Sequence, residues 1–95
     1  MSAYIVVNME VFDRETFEEY KARVPALIQK HGGEYLIRGG THEVLEGDWK
    51  PSRLVLLRFP DMAAAQAFYN DPEYAPLIAL RQRGSRFDMV VVEGV

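Results

Sequence analysis

Cysteine is missing altogether from these 95 residues. That absence removes disulfide scaffolding, thiolate catalysis and cysteine-ligated metal in one step. Tryptophan occurs once and histidine twice, and two separated histidines, His31 and His42, make no metal-binding pattern. Runs of basic residues are also missing. Eleven basic against fourteen acidic side chains leave a net charge of −3, so nucleic acid is not expected as a main partner, because phosphate binding needs a concentrated basic face. Long apolar runs are lacking too. Tyr4 to Val7 is too short for the apolar region of a secretory signal, and nothing approaches the roughly 20 apolar residues that span a bilayer. A soluble cytoplasmic protein is the expectation. There are no repeats or linkers, and no Ser-His-Asp set, nucleophile elbow or dinucleotide fingerprint, so no cofactor site is predicted.

What the chain does have is apolar residues, 48% of the total, in one domain's length covering residues 1–95. Ala3 to Val11 alternates with period two and reads as a strand. Asp13 reads as an N-cap for a helix whose stripe is Phe17, Tyr20, Val24, Leu27 and Ile28. Pro25 lies inside that helix and predicts a bend, and Gly32-Gly33 ends it. Glu34 to Arg38 reads as a second strand. Thr41 to Glu46 resumes an extended pattern before a loop at Gly47 to Pro51, and Arg53 to Phe59 reads as a third strand. Asp61 caps a helix running to Tyr69, and Asp71-Pro72-Glu73 predicts a second start, with helix from Pro72 to about Arg83. Phe87 to Val92 closes the chain as a fourth strand.

The order βαββαβ is the split-βαβ, ferredoxin-like arrangement: an α+β domain with a four-stranded antiparallel sheet. Two helices cover one face of such a sheet. The other face carries Tyr4, Val6, Leu54 and Leu56 if alternation holds, an apolar surface large for water. A second copy of the chain is the expected cover, since two-fold dimers are the commonest oligomers.

Chemistry-bearing residues concentrate between Arg38 and Arg53. His42 and Glu46 share parity on an extended segment, so they form a candidate catalytic pair, with Glu46 orienting His42 as acid or base. The plain alternative is a solvated edge. Arg38 and Arg53 are candidate ligand-binding residues, forked donors for an anion; structural ion pairs with Glu34, Glu46 or Asp48 are the alternative. Gly39-Gly40 reads as a turn. Trp49 either lids a pocket or anchors the dimer, the second role being favoured because tryptophan is enriched at interface hot spots. Tyr69 and Tyr74 are expected to pack on the sheet. His31 and Arg81 are expected as solvated residues near helix C-termini, where a positive charge favours the dipole.

These residues carry a resemblance. Gly32-Gly33, Arg38-Gly39-Gly40, Glu46-Gly47-Asp48-Trp49, Arg53, Phe59-Pro60, Asp71-Pro72-Glu73-Tyr74 and Arg81 together resemble the family called domain of unknown function 1330. The resemblance spans essentially the whole chain and implies a dimeric α+β barrel, two ferredoxin-like sheets face to face. That superfamily includes cofactor-independent monooxygenases, isomerases, haem-dependent enzymes and non-catalytic ligand-sensing domains, and fold alone does not choose among them. Haem use would need an axial ligand, for which His42 is the one candidate. Three functions therefore compete: a small-molecule enzyme without organic cofactor, a binding module for a small, anionic metabolite, and a structural dimerisation module.

Overall fold

The alternation in the first residues is realised as a strand β1 (Ala3–Val11), whose Ala3, Ile5, Val7 and Met9 are buried while Tyr4, Val6 and Asn8 are half-buried on the other side. Asp13 then caps helix α1 (Arg14–Lys30), its carboxylate accepting the amides of Glu15 and Thr16. The computed structural model describes residues 1–95. It orders the elements as β1, α1, β2 (Glu34–Arg38), β3 (Leu54–Phe59), α2 (Met62–Tyr69), α3 (Ala75–Gln82) and β4 (Ser85–Glu93). The four strands make one sheet in the order β2-β3-β1-β4, every pairing antiparallel. This is the predicted α+β, ferredoxin-like arrangement.

Helix α1 runs unbroken through Pro25, and its buried residues are the predicted stripe. It ends in a Schellman motif: the Gly33 amide donates to the Ile28 carbonyl, and the Gly32 amide to that of Gln29, with Gly32 at φ 77°. Here the backbone passes so close to the core that a Cβ on Gly33 would lie 2.6 Å from the Phe59 ring, and one on Gly32 would lie 3.0 Å from Pro60. Two separated sequence motifs, Gly32-Gly33 and Phe59-Pro60, are thus one contact.

The second helical region differs from expectation. It does not start at Pro72. Residues Asp71 to Tyr74 form a turn, in which Asp71 Oδ1 accepts the Glu73 amide and the Tyr74 amide donates to the Asp71 carbonyl. The remaining Asp71 oxygen is occupied by His31 and Lys30 of α1, so this carboxylate caps a turn and ties it to the first helix. Helix α3 begins beyond it, with Pro76 in its first turn. Thr41 to Glu46 is not a strand: the segment between β2 and β3 carries no regular structure, and residues 41–50 are all exposed.

All three helices lie on one face of the sheet, over a core of 17 buried apolar residues. The opposite face has no helix. The strand register lays Val90, Val6, Leu56 and Ile37 in one row across all four strands, with Ile37 and Val90 46% and 61% exposed. Charged pairs, Glu34 with Arg58 and Glu10 with Arg86, flank this apolar band. No helix is long and apolar enough to cross a membrane.

Candidate functional site

Strict alternation from Glu34 would aim Arg38 at the uncovered face. The structure turns it the other way. A bulge between Tyr35 and Ile37 shifts the pairing, so that Ile37 pairs with Leu56 and Arg38 with Val55. One extra residue reverses the parity of everything after it. Ile37 joins the open-face row, and Arg38 swings to the helix side, where its guanidinium lies 4.4 Å from the Tyr35 ring centroid.

There Arg38, still exposed, lines the same cleft as Arg53. Arg53 immediately precedes β3, at the parity of the buried Val55 and Leu57, and lies 6.0 Å from the Phe17 ring of α1. Gly39 makes room for it: a Cβ at this position would overlap the Arg53 guanidinium, and the φ of 72° independently favours glycine. The motifs Arg38-Gly39-Gly40 and Arg53 are one contact as well.

The two arginines stand at a narrow cleft between the helices and the sheet, which encloses a cavity of about 40 Å³ and opens to solvent at its mouth. Thirteen of its 16 lining residues are hydrophobic, among them Phe17, Val24, Phe87 and Met89; the charged ones are Lys21, Arg38 and Arg53, and no carboxylate lines it. Lys21 is answered by Glu18 at 3.1 Å. The arginines are not answered. Glu34, a candidate partner by sequence, pairs with Arg58 on the open face, and the Arg53 Nε is buried without an acceptor. A buried donor left unpaired costs about 1–3 kcal/mol, and more when charged, so the cleft is electrostatically incomplete.

Its apolar wall carries one further polar feature that the sequence did not single out. The hydroxyls of Tyr20 and Tyr74 meet at 2.8 Å, both rings being buried and both lining the cleft. Burial, reinforced by Tyr74, pushes the Tyr20 phenol far above its ordinary range, and burial raises Tyr35 as well. These phenols are neutral hydrogen-bonding groups at physiological pH. Tyr20 sits at a stripe position of α1 where a purely apolar residue packs as well, and that is the one signal available in sequence. Tyr74 packs inside as expected, whereas Tyr69 is 45% exposed. Arg81 departs from the solvated position expected for it: it is buried, its guanidinium 4.2 Å from the Phe87 ring centroid.

The remaining predicted residues lie elsewhere. His42, Glu46 and Trp49 stand on the exposed segment before β3, outside the cleft. The His42 Nε2 donates to the Pro51 carbonyl at 2.9 Å, and no hydrogen bond or ion pair joins it to Glu46. Asn8 on the open face anchors the segment's end, its side-chain oxygen accepting the amides of Ser52 and Arg53. His42, Arg38 and Ile37 share a shallow depression at that edge.

His31 is likewise not solvated as expected. It donates to Asp71 Oδ2 at 2.7 Å, beside Lys30 at 3.0 Å. The Glu73 amide, His31 and Lys30 hold the Asp71 carboxyl well below the usual carboxylate range. A depressed carboxyl stabilises the fold above its unfolded pKa of about 4 and loses that contribution as pH falls below it. Urea midpoints of Asp71→Asn are therefore expected below wild type at neutral pH, the gap closing as the buffer becomes acid. A gap that stays constant with pH would show that the anion is not what matters.

The protein-family model described as "Domain of unknown function (DUF1330)" matches residues 2–95. Comparison with curated proteins finds no match. Solved structures similar in fold include a protein of unknown function from Rhodopseudomonas palustris, at 15% identity and a TM-score of 0.78 over 99% of this chain and 82% of that one. A dimeric ferredoxin-like protein of unknown function from Jannaschia sp. CCS1 aligns at 17% identity and a TM-score of 0.70, covering 99% of this chain and 100% of the other. SnoaB, a cofactor-independent oxygenase from Streptomyces nogalater, aligns at 14% identity and a TM-score of 0.63, covering 99% and 93%. At such identities the likeness establishes the fold, and the family match over nearly the full length establishes membership: this chain belongs to the DUF1330 family.

Proposed function

We propose that this protein binds a small apolar anion in the cleft between helices and sheet, Arg38 and Arg53 forming the anion clamp, and that it works as a homodimer joined through the uncovered sheet face. The observation that carries the reading is the pair of arginines without carboxylate partners, one with a buried unpaired Nε, above a hydrophobic floor. A carboxylate completes such a pair with forked, charge-assisted bonds while its hydrocarbon body replaces water on the apolar wall. His42, Glu46 and Trp49 belong, on this reading, to the rim that the partner copy covers. The dimeric ferredoxin-like neighbour supports a dimer, and the apolar band with its charged borders has the anatomy of an interface.

A second reading, a cofactor-independent enzyme, is favoured by the oxygenase among the structural neighbours. The cleft itself has neither carboxylate nor imidazole to act as base, so an enzyme here would work on a molecule that arrives ionised. Binding comes first in either case. Calorimetric titration with benzoate, against neutral benzyl alcohol, tests it. Benzoate is expected to bind, and Arg53→Met to weaken it about tenfold or more, the worth of one charge-assisted bond. Equal binding of benzoate by wild type and the Arg38→Met/Arg53→Met double variant would rule out the clamp.

A further inference from the structure

Two hydroxyls that bond only to each other leave one proton over. Tyr20 and Tyr74 make no other side-chain hydrogen bond than the one between them. One O–H donates across the 2.8 Å gap, and the hydrogen of the accepting hydroxyl has no partner, in a place where Tyr20 and Tyr74 are 6% and 1% exposed. A buried donor without an acceptor is disfavoured, and native structures rarely keep one without a use.

Behind this pair stands a second unanswered donor group. Arg81 is 6% exposed, its Nε is buried without a partner, and no carboxylate lies within ion-pair range of it. Its guanidinium packs on two rings that line the cleft, Phe87 at 4.2 Å and Tyr74 at 5.9 Å. Arg81 from α3 is the charged group beside the pair, and the charged side chains that line the cleft, Lys21 from α1, Arg38 from β2 and Arg53 ahead of β3, are all basic, Lys21 being paired with Glu18. This wall of the cleft thus has donors and positive potential, and its acceptor has to come from outside the chain.

We infer that the Tyr20–Tyr74 hydroxyl pair, backed by Arg81, receives an oxygen acceptor on the ligand, so that the cleft takes an apolar acid bearing, besides the carboxylate, a carbonyl or an ionisable hydroxyl. This rests on the cleft being the binding site, as proposed above. Arginine forks hold the carboxylate; the spare phenol proton bonds the second oxygen; the Arg81 field favours negative charge there. Tyr20 and Tyr74 are specificity determinants in this arrangement and Arg81 a positioning residue behind them.

The probe is 4-hydroxy-3-nitrobenzoate, whose carboxylate and nitrophenol lie at opposite ends of one ring and whose phenol ionisation is read from its visible absorbance. Titrated with excess wild-type protein, the bound phenol is expected to ionise at a pH lower by about one unit, a tenfold preference for the anion. The Tyr20→Phe/Tyr74→Phe double variant, which keeps both rings and removes both hydroxyls, is expected to abolish the shift while the probe stays bound, and Arg81→Met to reduce it. A shift that survives the double tyrosine variant and vanishes in Arg53→Met would place the phenolate at the mouth and overturn the inference. So would a bound probe with unshifted ionisation, or failure of this probe where benzoate binds; in each of these cases the clamp itself stands. Failure of both probes removes the clamp, and the inference with it.

Discussion

Glutamate in place of Leu56 is expected to turn a dimer into folded monomers. Leu56 lies in the middle of the row Val90–Val6–Leu56–Ile37, on the face without helices. In a single copy it is half-exposed, so a carboxylate there keeps its water and folding is little affected. In a two-fold seam the same position is buried against the partner, and each copy brings one charge. Breaking water contacts to bury an unpaired charge costs several kcal/mol per ion, and the symmetry places the two like charges across one interface. Light scattering should therefore give twice 10.9 kDa for the wild type and 10.9 kDa for the variant, with unchanged circular dichroism. A wild type that already weighs 10.9 kDa would end the dimer proposal. A doubled mass in both proteins would move the seam to another surface.

The largest loss of stability is expected on the opposite side of the sheet, at Phe59. Its ring is 0% exposed and stacks on Phe68 at 5.4 Å. It also packs under Gly33, where the end of α1 crosses β3. One ring therefore fastens the first helix, the third strand and the second helix together. Phe59→Ala removes the ring and leaves a space that rigid neighbours cannot close, because Gly33 is held by the Schellman bonds. Truncations of this kind cost about 3–5 kcal/mol, a large part of the roughly 5–15 kcal/mol by which a small domain is folded. Urea denaturation at neutral pH would register it as a large fall in midpoint; a change below about 1 kcal/mol would mean that Phe59 packs loosely and that its neighbours close the gap. The exposed Phe12, with 66% of its surface in water, serves as a control aromatic in the same experiment.

The fold was legible because its signals are local and repeat. Period two in Ala3–Val11, the spacing from Phe17 to Ile28 and the caps at Asp13 and Asp61 each depend on a few adjacent residues, and all reappear in the structure. Asp71 misled for a physical reason. Its carboxylate does accept an amide two residues on, that of Glu73, but together with the Tyr74 amide on the Asp71 carbonyl this closes a turn and not a helix, while the second carboxylate oxygen goes to His31 and Lys30, some forty residues away in sequence. Arg38 and Arg53 could be named as anion ligands from their chemistry, yet nothing local shows that they converge. That depends on the bulge at Leu36, and a one-residue shift in pairing has no composition signature. His42 and Glu46 were paired on the parity of an extended segment, and the segment lacks the ladder that would enforce parity. Tyr20 and Tyr74 stand 54 residues apart, and each reads as ordinary core until the fold brings the hydroxyls together.

Gly39 leaves the space that the Arg53 guanidinium fills, and its φ of 72° calls for glycine on its own account. A side chain at position 39 would carry two penalties, backbone strain and displacement of the flexible end of Arg53. The mouth of the cleft is thus shaped by a side chain that is not there, and position 39 is bound to glycine by backbone and neighbour alike.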